Sequence, residues 1–291
     1  MKFTNHANLP QAIVDAVTND SYSKGEAHIS VTGLLRPPRL AVLEKCHENE
    51  ITEDISDRIW SLLGQSIHGI LERANRIAIA ERRLFMNVEG WIVSGSMDLY
   101  EDDLGNLHDY KVTSVWKLIK GDFGEWEDQL NLYSVILRHH GHKVQKLQVI
   151  AILRDWSKRE AERDANYPQA QVVTIDIPLW TEENAMKYMR ERIILHKQAQ
   201  VKMPECTPQE RWAQPDIWAV MKPGRKSAVK LYNNIDDANI HAASEKGLFV
   251  TYRPGQSVRC KSYCRVAKFC TQYQAELNGA SDAAFDDTKT G

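Results

Sequence analysis

Apolar positions recur along this chain at two distinct spacings, and the alternation between them outlines its elements. Ile55, Ile59, Leu62, Leu63, Ile67, Ile70 and Leu71 follow the three-and-four rhythm of an amphipathic helix over 52–73. Trp126, Leu130, Tyr133 and Leu137 repeat that rhythm and predict a second helix. Strand-like runs occupy 91–100 and 107–113, separated by an Asp- and Gly-rich turn over 101–106. Further strands are expected at 146–153 and 172–177, and another before residue 91, opened by Glu81. Thr181 followed by Glu182 and Glu183 reads as a helix start leading to about residue 201.

The flanks are less regular. Short helical patterns cover 9–17 and 40–50, the second behind a proline-broken stretch. Residues 218–221 and 228–232 flank a Pro-Gly turn as a hairpin, followed by a helix over 236–245 and a strand over 248–252. Residues 276–291 are small and acidic without periodicity, which predicts a disordered tail. The expected division is a lead-in over 1–50, a core over 51–203, a small α+β unit with a cysteine-rich region over 204–275, and the tail.

Composition narrows the class. A hydrophobic content of 43% supports a real core, and 26% charged residues is ordinary. No apolar run approaches the ~20 residues needed to cross a bilayer, so no membrane role is expected. A net charge of −2 does not announce a nucleic-acid binder, but cations could still cluster where phosphates run. Lys222, Arg225, Lys226 and Lys230 form one cluster. Arg253, Arg259, Lys261, Arg265 and Lys268 form another, interleaved with Tyr252, Tyr263 and Phe269, a mixture that suits single-stranded or frayed ends. Either could equally be a solvated surface.

The candidate chemistry lies on the two strands around the 101–106 turn. Alternation puts Asp109 and Lys111 on one face and Tyr110 on the other. If the strands pair as a hairpin, Asp98 comes close to Asp109, and two carboxylates with a nearby carbonyl are hard oxygen ligands for Mg²⁺ or Mn²⁺. A lysine beside them can orient water for attack on a phosphate. An ordinary solvated Asp–Lys pair gives the same short pattern, so the neighbours matter. Gly64, His68 and Glu72 form a stripe on the first helix, and Gln129 lies one turn before Tyr133 on the second.

The order Gly-x3-His, Gly-Ser-Met-Asp, Asp-x-Lys, Gln-x3-Tyr resembles the RecB-like branch of the PD-(D/E)xK nucleases, over roughly residues 55 to 155. The resemblance implies an α/β restriction-endonuclease-like core, a mixed sheet flanked by helices. Asp98, Asp109 and the Tyr110 carbonyl would be metal ligands, joined by His68, whose nitrogen favours Mn²⁺. Lys111 would position the attacking water, and Gln129 and Tyr133 would orient the lysine or contact the scissile strand. His68 as a core histidine and Tyr133 as a packing residue are the plainer readings.

Five cysteines add a second signal: Cys46, Cys206, Cys260, Cys264 and Cys270. No secretory signal is visible, so a reducing cytoplasm is expected (a host's, if the chain is phage-encoded), and closely spaced thiols there argue for metal. The resemblance implies a [4Fe–4S] cluster, since many RecB-like nucleases hold one with a distant cysteine and a C-terminal Cys-x2-Cys-x5-Cys. Here the first gap is three residues, and Arg36-Pro-Pro-Arg39 stands where the family's early Cys-Pro-Arg would be. A fourth ligand must therefore come from Cys206 or Cys46, with Cys206 in a rigid turn the better placed. Zinc competes with iron–sulfur for four thiolates.

The expected activity is cleavage of DNA from its ends, in phage or mobile-element replication or recombination. Arg253, Arg259, Lys261 and Arg265 are the candidate nucleic-acid contacts, and a recombination protein or a second copy is a candidate partner. A catalytically idle nucleic-acid-binding accessory is the alternative, and a zinc-stapled interaction module a third reading.

Overall fold

The computed structural model describes residues 1–19, 25–74 and 83–286, with side chains to residue 278; Glu81 lies outside the described residues. The architecture is mixed α/β and separates into two units. The first comprises Met1–Arg36 and Thr52–Lys202, the second Pro37–Ile51 and Met203–Gly291. The lead-in expected over 1–50 is thus divided, its first part belonging to one unit and 37–51 to the other.

In the first unit, a four-stranded sheet runs in the order Leu99–Glu101, Asn106–Thr113, Lys146–Leu153, Val172–Ile177. The middle two strands are parallel and both outer pairings antiparallel. Parallel neighbours require a crossover, and helix Gly124–His139 supplies it. Strand Lys146–Leu153 buries Leu147, Val149, Ala151 and Leu153 completely, the period-two pattern of a strand covered on one face. Leu130, Leu132, Ile136 and Leu137 of the crossover helix are fully buried in the same core. Ala185, Met189 and Ile193, at helical spacing on Glu182–Ala199, complete that core. Thr181 caps that helix by accepting the Asn184 N–H at 3.2 Å.

A three-stranded sheet of Ile29–Ser30, Trp91–Ser96 and Arg83–Val88 lies beside this core. The strand expected over 91–100 is therefore two: it leaves this sheet after Ser96 and joins the four-stranded sheet at Leu99. Met97 and Asp98 make the transfer. Gly95 is required where the crossover helix meets the first of these strands. A Cβ there would lie 2.9 Å from the Tyr133 ring and 3.1 Å from Ile136. Gly95→Ala should therefore push Tyr133 off its place, costing about 1–3 kcal/mol. A fall in melting temperature together with reduced activity is the expected outcome; an unchanged melting curve would mean the ring accommodates the methyl.

The helix expected over 52–73 starts later. Thr52–Asp54 is a strand, parallel to Lys2–Thr4, and Asp54 Oδ1 caps a 3-10 turn at Ile55–Arg58 by accepting the Ser56 N–H at 3.1 Å. The α-helix is Ile59–Ala74.

In the second unit, helix Pro38–Cys46 supplies Leu40 and Leu43, which with Ile51 pack on Val266 and Cys270. An antiparallel sheet of Lys230–Tyr232, Ile217–Met221 and Phe249–Arg253 carries helix Ile235–Ser244, tied by a Tyr232 hydroxyl–His241 hydrogen bond of 3.0 Å. The expected hairpin and helix are present. The disordered tail is corrected over 276–286: helix Thr271–Asp286 runs through it. Among the described residues no helix is long and apolar enough to cross a membrane.

Candidate active site

The break after Ser96 sets the site. Asp98 leaves the ladder, and its Oδ2 accepts the Tyr110 backbone N–H at 2.7 Å. This pins the carboxylate across the hairpin, where Leu99 already pairs with His108. Asp98 Oδ1 meets His68 Nδ1 at 3.2 Å, so the Ile59–Ala74 helix contributes its histidine to the cluster. The His68 ring stands edge-on to Tyr110 at 6.3 Å.

Asp109 and Lys111 share a strand face as alternation demands, with Lys111 Nζ 2.8 Å from Asp109 Oδ2. Lys111 Nζ also donates to Gln129 Oε1 at 3.0 Å. The Gln129 amide donates in turn to the Tyr133 hydroxyl at 3.0 Å and, more weakly, to Asp109 Oδ1 at 3.4 Å. All seven predicted residues, His68, Asp98, Asp109, Tyr110, Lys111, Gln129 and Tyr133, are thus brought together. Six of them, all but Tyr110, line a pocket of about 470 Å³.

Electrostatically the pocket is built around one buried charge. Asp109 is 3% exposed, and its Oδ2, although facing the Lys111 ammonium, receives no hydrogen bond of good geometry. Burial raises its pKa above the usual carboxylate value; Lys111 opposes that shift, Asp98 adds to it, and His68 opposes it. Among the described residues, no three His, Cys, Asp or Glu side chains are already arranged to hold a metal ion. Yet a buried, hydrogen-bond-poor carboxylate oxygen beside a second carboxylate is the donor chemistry a hard cation takes. The residues fit Mg²⁺ or Mn²⁺, which would compete with Lys111 and His68 for those oxygens.

A stability prediction follows from the raised pKa. The folded state keeps a proton on Asp109 that the unfolded state releases, so stability declines as pH rises from about 4 to about 6. Above that window the metal-free protein carries the full cost of the buried charge. Metal-free Asp109→Asn should melt higher than wild type at pH 7.5, on the order of 5 °C, and no higher near pH 4. Equal melting temperatures at both pH values would show that Lys111 already compensates the charge.

The sequence did not mark the rest of the wall. Ser30, Thr32, Gln65, Arg83, Ser94 and Ser96 line the pocket, and Arg83 donates to Ser94 Oγ at 3.2 Å. Ser94, Ser96 and Asp98 are spaced by two, so period-two polarity on an otherwise apolar strand was the available signal.

The cysteines gather in the second unit. Cys206, Cys260, Cys264 and Cys270 interact electrostatically with one another, whereas Cys46 is exposed and outside the set. Burial first, then neighbouring groups, raise the Cys206 thiol to about 12 and Cys260 to about 11. Gln272 clamps Cys206 through both its backbone groups, at 2.8 and 2.9 Å. Arg39, 7% exposed, donates from Nε to Cys270 Sγ at 3.2 Å. Its other partners, the Pro204 carbonyl and Thr271 Oγ1, are neutral. A buried guanidinium with a sulfur and two neutral oxygens for partners favours the thiolate form of Cys270, although among the described residues no three of these thiols are already arranged to hold a metal ion.

The predicted nucleic-acid contacts separate. Arg265 pairs with Glu44 at 2.6 Å, and Lys268 donates to the Glu50 carbonyl, so both hold segment 37–51. Arg253 and Lys261 are exposed and Arg259 half-buried, and none of the three has an ion-pair partner among the described residues.

No protein-family model matches this chain, and no curated protein does. Among solved structures the chain is similar to the crystal structure of SSO0001, with a TM-score of 0.45 and 21% sequence identity, over 63% of this chain and 84% of that one.

Proposed function

We propose that this chain is a divalent-metal-dependent deoxyribonuclease of the RecB-like PD-(D/E)xK type, acting on DNA ends in phage or mobile-element replication or recombination. One observation carries the reading: Asp98, Asp109 and Lys111 face one pocket, with the lysine fixed by Gln129. The mixed sheet with a crossover helix is compatible with a restriction-endonuclease-like core.

Asp98, Asp109 and the Tyr110 carbonyl would hold the cation, with His68 as a nitrogen donor. When bound, it supplies Lewis acidity and neutralises charge at the phosphate. Lys111 holds the attacking water and offsets charge developing on the phosphate oxygens. Gln129 aims the ammonium, and Tyr133 fixes the Gln129 amide from behind. Arg83 and the hydroxyls of Ser30, Thr32, Ser94 and Ser96 offer further donors to the strand. In the second unit, Cys206, Cys260, Cys264 and Cys270 would hold a structural [4Fe–4S] cluster, or zinc in its place.

The deciding experiment incubates pure protein with linear and with covalently closed circular DNA, with and without Mn²⁺ or Mg²⁺. Metal-dependent loss of the linear form alone is expected. Binding without cleavage in either metal would instead make the chain an idle accessory on the same scaffold.

A further inference from the structure

We propose that the second unit carries a stacking cradle for single-stranded nucleic acid, centred on Trp212. Trp212 has a φ of +51°, a left-handed conformation that side chains of its size rarely adopt. That backbone is held by hydrogen bonds closing the turn, from Trp212 N to the Gln209 carbonyl (3.0 Å) and from Ala213 N to the Pro208 carbonyl (2.9 Å). The result is a large indole kept 41% exposed, with Tyr263, 69% exposed, edge-on to it at 5.3 Å. The Arg259 guanidinium lies over the indole at 5.1 Å.

A second observation lies beside this stack. A pocket of about 350 Å³ is lined by Ile217, Leu231 and Arg253, with Gln214 and Gln256 among its walls. The two glutamine amides meet at 3.3 Å, and Lys261 Nζ donates to Gln256 Oε1 at 3.0 Å. Helix Val258–Ser262 thus carries Arg259 to the indole and Lys261 to the pocket rim. An apolar-walled recess edged by amides and cations offers a flat surface for a base, polar groups for its edge and charge for its phosphate.

Charge selects the occupant. The hydrogen-bond partners of Arg253, Arg259 and Lys261 are the Met221 sulfur, the Glu210 carbonyl and the Gln256 amide, all neutral. Three carboxylates lie nearby and each has a partner of its own: Glu210 caps Thr207 N, Glu276 takes Arg211 and Ser257, and Asp216, between two residues of the pocket wall, accepts the Gly255 N–H at 2.7 Å. Arg253 and Lys261, without a carboxylate partner among the described residues, and Arg259, whose electrostatic partner there is the Cys264 thiol, stand among exposed aromatic rings and complement a polyanion with stacking faces better than they complement a protein surface.

The inference deepens the nuclease reading, resting on nucleic acid as substrate, but it is tested by binding rather than cleavage. Full-length protein without added divalent cation is titrated with a labelled oligothymidylate and with a duplex of equal length. The single strand should bind more tightly and quench tryptophan fluorescence. Trp212→Ala and Arg259→Ala should each weaken it by on the order of tenfold, while Trp212→Phe keeps most of the affinity. Arg253→Gln and Lys261→Gln should each lower the slope of log affinity against log salt by about 0.7. Variants that melt like wild type and bind within about twofold of it would overturn the site. So would a wild-type protein that prefers duplex. Self-association lost in Trp212→Ala with oligonucleotide binding intact would make the patch a protein interface and overturn it equally. Strand binding without any cleavage would leave this site standing and remove the nuclease reading; cleavage with binding unchanged in the variants would do the reverse.

Discussion

Asp109→Ala and Lys111→Ala are each expected to reduce DNA cleavage by roughly a thousandfold or more. Asp109 is the buried member of the carboxylate pair, and its loss removes the oxygen for which a cation would compete with Lys111 alone. Lys111 is held between Asp109 and Gln129, so its ammonium is aimed at the pocket in a way that truncation to alanine removes. The two variants should fail differently. Asp109→Ala should weaken metal dependence as well as rate, whereas Lys111→Ala should bind metal normally and stay slow. Rates on linear DNA across a metal titration, with matched circular dichroism, distinguish these outcomes. Either variant retaining rates within about tenfold of wild type would remove the assignment of its residue.

The second large effect is expected at the thiols. Metal-free Cys206 and Cys260 hold their protons well above neutral pH, so binding metal means expelling them, and uptake should steepen with pH. Thiolate–metal binding supplies apparent free energy on the order of 10 kcal/mol that is at the same time folding free energy. Cys206→Ala and Cys260→Ala should therefore lose metal and aggregate, while Cys46→Ala should behave as wild type. Protein isolated without oxygen should be brown and contain iron. Colourless protein with one equivalent of zinc keeps the four thiols and replaces the cluster, whereas protein with neither metal removes both. Metal retained in Cys206→Ala and lost in Cys46→Ala would move the fourth ligand.

Much of this was legible locally. The strand Lys146–Leu153 and the helix capped by Thr181 announce themselves by period and by cap, and they form where expected. Asp109 and Lys111 share a face because alternation leaves no choice, and Asp98 reaches them because the 101–106 turn closes a hairpin. What escaped was non-local. Lys2–Thr4 and Thr52–Asp54 are each three residues long, too short for a period, and their pairing is decided about fifty residues apart. The handover at Met97 between two sheets leaves no mark, since both halves are equally strand-like. Trp212 could not be read either, because a left-handed backbone at a tryptophan is imposed by its turn.

The interleaving of the two units has a consequence for synthesis on the ribosome. Leu40 and Leu43 emerge early, but Val266, against which they pack, follows more than two hundred residues later. At ~5–20 residues per second, that is roughly ten to forty seconds in which an apolar helix face waits for its partner. During that interval residues 52–202 emerge and can form their own core, leaving segment 37–51 as an uncovered greasy loop. The nascent chain should depend on a holding chaperone during that wait. A fragment ending at Lys202 should be insoluble unless 37–51 is made polar.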